Sequence, residues 1–339
     1  MKERKTCKTR ILLFIAAAFI FSVTTINVNA EAAEVSPTPT PESISILKTS
    51  KSAREIEEYW TEERMENAIP MPNPEISEEE FQRLINTPQE EESKSQEESK
   101  SVESSVGESE VMVYTAGVPT RANVNQHPFR TGGKFFFTKP DGVDYVCSAE
   151  FVGSSRVIMT AAHCLRSKDT GEWYSDFLFR RAYENGGGQA VVSKCPTVWS
   201  DWVVGSDKPD YYWNWKRDYG FLYAERDSSG GWLGLRTLIP YSTWTAIGYP
   251  SNYGSNKYMY KVDGSKGTVE NGIVEMKDNP MRSGNGGGAW IGDLKPHAGG
   301  NYAIGLNSFH RSDPTSEFGP YFDSNTFSLF EYAAKNPCK

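Results

Sequence analysis

Beyond its first thirty residues, the 339-residue chain has no apolar run of the ~20 residues that a helical membrane span needs. No helical anchor is expected there. None of the five cysteines forms a Cys-x-x-Cys pair, and histidine is limited to four. Zinc ligation is therefore a poor reading of these residues, and no glycine-rich phosphate loop is present. No metal or other cofactor is implied. Residues 31–110 contain no aspartate and few aromatics. Basic charge is nowhere concentrated downstream, since residues 111–339 carry a net charge of only +2. Nothing there suggests binding to nucleic acid.

The chain opens with Lys2, Arg4, Lys5, Lys8 and Arg10, followed by an apolar run from Ile11 to Val23. Val28 and Ala30 are small residues placed before a cleavage point between Ala30 and Glu31. Residues 1–30 read as a secretory signal peptide, and the protein as secreted and extracellular, free of the membrane after cleavage. Export permits disulfides. Cys7 leaves with the signal, so Cys147, Cys164, Cys195 and Cys338 remain, and four cysteines allow three pairings.

Residues 31–110 hold 21 glutamates and 7 lysines or arginines, a net charge of −14. Such a composition buries little apolar surface, and a largely disordered segment is expected, a propeptide or a linker. Two short helices are predicted within it. Ser52-x-x-Glu55 and Ser77-x-x-Glu80 have the capping-box pattern. Ile56, Tyr59 and Trp60 follow the first box, and Phe81, Leu84 and Ile85 the second, at helical spacing. The stretch from Glu90 to Glu110 is nearly all Glu, Ser and Lys and reads as a linker.

From residue 111 onward aromatics and glycines become dense. Short β-rich runs recur at 134–138, 143–152, 156–160, 189–193, 244–249, 258–262, 272–276, 289–291 and 302–309, punctuated by Gly, Asn, Asp and Pro. Many short strands with turn signals argue for an all-β barrel or sandwich. Residues 325–335 lack helix breakers and read as a C-terminal helix.

His163 follows an apolar run and a pair of alanines, in Thr160-Ala161-Ala162-His163-Cys164. Asp218 heads the run Tyr219-Gly220-Phe221-Leu222, 55 residues later. An aspartate buried there needs a partner, and an imidazole N–H is a suitable one. Asp201 and Asp210 are competitors, but neither begins an apolar run. A third block reads Arg282-Ser283-Gly284-Asn285-Gly286-Gly287-Gly288.

In this order the three blocks resemble the trypsin-like serine peptidases across roughly residues 115–335. The Gly-rich turn, Asp278 eight residues before Gly286, and Ile247-Gly248-Tyr249-Pro250 are similar to secreted bacterial glutamyl endopeptidases. The resemblance implies a chymotrypsin-like domain over residues 111–339, with two six-stranded antiparallel β-barrels and a short C-terminal helix. It implies His163 as general base, Asp218 as its orienting carboxylate and Gly286 at the position where the family has its nucleophilic serine. Gly284 and Gly286 would supply the oxyanion N–H groups, and Ser308, Phe309 and His310 the substrate-binding strand. It also implies a Cys147–Cys164 disulfide and leaves Cys195 and Cys338 for each other. Ser283 lies three residues early, on the far side of the turn. Asn285 lacks the charge that trypsin uses to hold a new N-terminus. Asn307, not His310, falls where glutamyl endopeptidases place a histidine. The implied activity is endopeptidase, impaired by Gly286, acting on protein or peptide substrates as a monomer. The alternative is a pseudo-peptidase that binds partners through the cleft without cutting.

Overall fold

The computed structural model describes residues 43–86, 98–105, 115–207, 214–295, 300–312 and 315–336. The signal-peptide region and Cys338 lie outside them, as do residues 90–97 and 106–110 of the expected linker. Two antiparallel barrels hold most of the β structure among the described residues. In the first, Gln189–Trp199, Gly220–Ala224, Val157–Thr160, Asp144–Phe151, Gly132–Thr138 and Ser175–Arg181 pair in that order. Ser175–Arg181 pairs back onto Gln189–Trp199 and closes the ring. In the second, Ser316–Pro320, Ile273–Lys277, Tyr260–Glu270, Thr243–Gly248, Ala289–Gly292 and Tyr302–Leu306 follow one another. A bridge between Phe309 and Phe318 closes that ring. Among the described residues, no helix is long and apolar enough to cross a membrane.

Aromatic side chains fill the first barrel. Phe135, Phe136 and Phe137 are fully buried, and Phe135 stacks on Phe177 at 5.7 Å. In the second barrel Trp244 stacks on Trp290 at 5.6 Å. The C-terminal helix runs Ser324–Lys335, capped by Asp323, which accepts the Thr326 N–H at 3.0 Å. Its Phe330 packs edge-on against Phe221.

The acidic segment is more ordered than its composition predicts. Both expected helices form, Ala53–Tyr59 and Glu78–Asn86, each with its serine–glutamate box closed. A further helix, Glu62–Asn67, is capped by Thr61. The apolar residues are too few for a core of their own, so they bury against the barrels. Trp60 packs on Phe136 at 5.3 Å, and Phe81 on Phe318 at 4.9 Å. Ile44–Ile46 adds to Gln189–Trp199, and Ser101–Val102 to Gly234–Arg236.

Lys134 is an expensive residue of the first barrel. It is 5% exposed, with its ammonium 4.6 Å from the centre of the Tyr183 ring. Burial, and then Lys257 nearby, push its pKa from 10.5 down to about 7. Between those values the unfolded chain holds a proton that the folded chain has lost, so this residue's contribution makes stability rise with pH. Lys134→Met is expected to raise the urea midpoint at pH 7 and to flatten that rise, as urea titrations from pH 6 to 10 would show.

Candidate active site

His163 lies on the turn Ala162–Cys164, directly after strand Val157–Thr160. Gly220–Ala224 runs antiparallel beside that strand, with Gly220 opposite Thr160. The residue two before Gly220 and the residue three after Thr160 therefore meet at the same barrel end. They are Asp218 and His163. The Cys147–Cys164 disulfide ties this turn to strand Asp144–Phe151, as the resemblance implied. Cys195 is also disulfide-bonded, and its expected partner lies outside the described residues.

Asp218 is fully buried and His163 nearly so. Asp218 Oδ1 accepts the His163 backbone N–H at 2.8 Å, and Oδ2 faces the ring Nδ1 at 2.7 Å. The Ser308 hydroxyl donates to the same Oδ2. A carboxylate only accepts, so Nδ1 carries a proton, which leaves Nε2 as the acceptor of a neutral ring. Nε2 is buried and has no hydrogen-bond partner among the described residues. One cluster of possible metal ligands occurs among them, Cys147, His163 and Cys164. Both sulfurs are consumed by the disulfide, so the group does not fit a metal.

Gly286 faces that nitrogen. A Cβ at Gly286 would stand 2.7 Å from His163 Nε2 and 3.4 Å from Asn73 Oδ1. The neighbouring glycines are required by the turn. Gly284 has φ +90° and Gly287 φ +83°, a left-handed region that side chains avoid. Gly286 has no such φ, so nothing in its backbone calls for glycine. Asn307 holds the turn. Its Nδ2 donates to the Ile247 and Asn285 carbonyls, and its Oδ1 accepts from Asn279 and Trp290. Asn285 is fully buried, and its side-chain polar atoms have no partner among the described residues.

The residues expected on the substrate strand differ in their contacts. Phe309 is buried between Trp215 and Phe318, with ring centres 5.2 and 5.4 Å away. The His310 N–H donates to Pro74 O at 3.0 Å, while its ring Nδ1 faces the Arg311 carbonyl. Burial lowers the His310 pKa.

Pro74 belongs to a stretch of the acidic segment that sequence reasoning missed. Ile69–Pro70 pairs in parallel with Tyr145–Val146. The Met71 carbonyl accepts the Gly284 N–H at 2.8 Å. The Asn73 side chain donates to Glu317 Oε1 at 2.6 Å. Glu75–Ile76 then pairs in parallel with His310–Arg311. Residues 69–76 thus thread the cleft from one barrel to the other. A cavity of about 360 Å³ remains between them, His163, Trp202 and Trp215. The signal was the run Pro70-Met71-Pro72-Asn73-Pro74, which keeps each residue before a proline out of the helical region and so extended.

No family model matches this chain, and no curated protein does. Solved structures are similar to it in fold. The thermostable serine protease AL20 from an extremophilic microorganism superposes with TM-score 0.52 at 24% identity, over 61% of this chain and 97% of the other. The protease Anisep from Arthrobacter nicotinovorans gives 0.54 at 22%, over 64% and 100%. A Glu endopeptidase in complex with MPD gives 0.52 at 15%, over 64% and 96%. The fold is that of the chymotrypsin-like serine proteases.

Proposed function

We propose that the chain is a secreted, trypsin-like serine endopeptidase family protein that is halted at its nucleophile. The observation that carries this reading is that His163 Nε2 faces Gly286, 2.7 Å from where a Cβ would stand. In a working member a serine hydroxyl would stand there. His163 would take its proton, Asp218 would hold the resulting imidazolium, and the N–H groups of residues 284 and 286 would receive the oxyanion. In this reading the base, its carboxylate and the Gly284 donor surround a residue that has a backbone N–H but no hydroxyl. The disulfide fits an exported protein.

The acidic segment acts as a propeptide in this reading, with residues 69–76 covering the cleft. Its threading also blocks hydrolysis of itself. Cleavage needs the residue that fills the side-chain pocket to supply the carbonyl at the oxyanion donors. Asn73 reaches Glu317, but the carbonyl on Gly284 is that of Met71, two residues away. The second reading, a pseudo-peptidase that holds peptides, is favoured by that same contact, since the Gly284 donor binds a peptide carbonyl without chemistry. Hydrolysis of a mixed peptide library by the native chain and by Gly286→Ser, each processed near residue 110, tests the first reading. Silence from both would leave the binding protein.

A further inference from the structure

Two charged side chains near Gly286 play no part in the His163–Asp218 pair. Glu317, on strand Ser316–Pro320, is fully buried. Its Oε2 lies 3.3 Å from Arg282 Nη1, and its Oε1 accepts from Asn73 Nδ2 at 2.6 Å. Arg282 is fixed in turn by the carbonyls of Met281 at 2.7 Å, Asn279 at 3.1 Å and Ser316 at 3.2 Å. One carboxylate oxygen is therefore committed to an anchored cation. The other meets whatever side chain enters.

Each kind of entering group fares differently. Arg282 and Glu317 together are near neutral, so an entering ammonium would leave an uncompensated positive charge in a buried place. A carboxylate would face Oε1 directly. An apolar group would leave that oxygen without a donor. A carboxamide supplies the N–H and brings no charge. Burial pushes the Glu317 carboxyl up to about 8, against the pull of Arg282 and Asn73, so repulsion of an entering carboxylate sharpens as pH rises past that value and Glu317 ionises.

We propose that the buried Glu317–Arg282 pair, on which Asn73 docks, selects a carboxamide side chain, asparagine or glutamine, from a peptide lying in the cleft, with Glu317 setting the choice. Asn73 is its resident ligand. The proposal rests on the cleft being a peptide-binding site and not on its being hydrolytic. It departs from an acidic preference of the glutamyl type, for which His310 is the only candidate among Ser308, Phe309 and His310, and His310 turns its Nδ1 to the Arg311 carbonyl.

Hydrogen exchange of the full chain, read by mass spectrometry over residues 69–76 and around Gly284 and His310, tests this without any need for activity. Asn73→Ala removes the donor, and exchange there should quicken by about tenfold. Asn73→Asp adds repulsion and should exchange faster still. Combining Asn73→Asp with Glu317→Gln should restore protection to near the native level, because a carboxylate then meets an amide donor beside Arg282. The selection is overturned if Asn73→Asp exchanges no faster than Asn73→Ala. It is also overturned if a folded double variant is no better protected than Asn73→Asp alone. Should Glu317→Gln fail to fold, as thermal melts would reveal, the comparison of the two single variants decides. A negative result here leaves the outcome for Gly286→Ser untouched, so the two readings fail separately.

Discussion

Gly286→Ser, after removal of the acidic segment, is expected to hydrolyse peptides at least ~10³-fold faster than the native chain treated in the same way. Loss of the nucleophile from a complete triad costs on the order of 10⁶ in rate, so most of that factor is open to recovery. Three features support recovery. The backbone at Gly286 lies outside the left-handed region, unlike that of Gly284 and Gly287 beside it. Asp218 already fixes the His163 ring at Nδ1. The Gly284 N–H already binds a carbonyl oxygen. One feature limits it. A Cβ at Gly286 would come within 2.7 Å of Nε2, too close for any real contact, so the imidazole must retreat toward the 3.4 Å of ordinary contact against the hold of Asp218. Adding His163→Ala should abolish the gain. Ser283→Ala in the native chain should change nothing, and any native activity that disappears with it would mean the nucleophile sits elsewhere. Initial rates on the peptide library read all four proteins.

Trp60→Ala should destabilise the full chain by about 3–5 kcal/mol, as loss of a buried tryptophan does. Trp60 is 3% exposed, packs on Phe136 of the first barrel, and donates its indole N–H to the Asp176 carbonyl at 2.5 Å. The substitution opens a cavity and leaves that carbonyl without its donor. Urea denaturation monitored by circular dichroism measures the change. A shift below about 0.5 kcal/mol, the range of surface substitutions, would show that the segment hangs loosely on the barrels.

Much of the site was legible in the sequence, for local reasons. His163 and Cys164 sit in one short block, and Asp218 heads an apolar strand, so each carries its context with it. The strand Ser316–Pro320 was not legible. Its Ser-Glu-Phe-Gly-Pro reads as a turn, and only the tertiary contacts to Arg282 and Asn73 explain a glutamate inside it. Ser175–Arg181 was missed because its short apolar core is flanked by Ser, Asp and two arginines and shows no alternation. The helices after Ser52 and Ser77 were found from their caps. What composition hid was where their apolar faces go, because they bury against barrels distant in sequence. For residues 69–76 the alternating prolines signal extended backbone, but not its partners, because the strands it forms ladders with are distant in sequence.

Those ladders have a further consequence. The segment adds strands at four places, to Gln189–Trp199, Gly234–Arg236, Asp144–Phe151 and His310–Arg311. Cutting it away would expose rows of unpaired N–H and C=O groups along sheet margins, the surfaces through which β-proteins join edge to edge. A processed domain would thus trade one covalent partner for the chance of many identical ones. Its solubility would then depend on concentration, and on how quickly peptides from solution take the place of the lost strands.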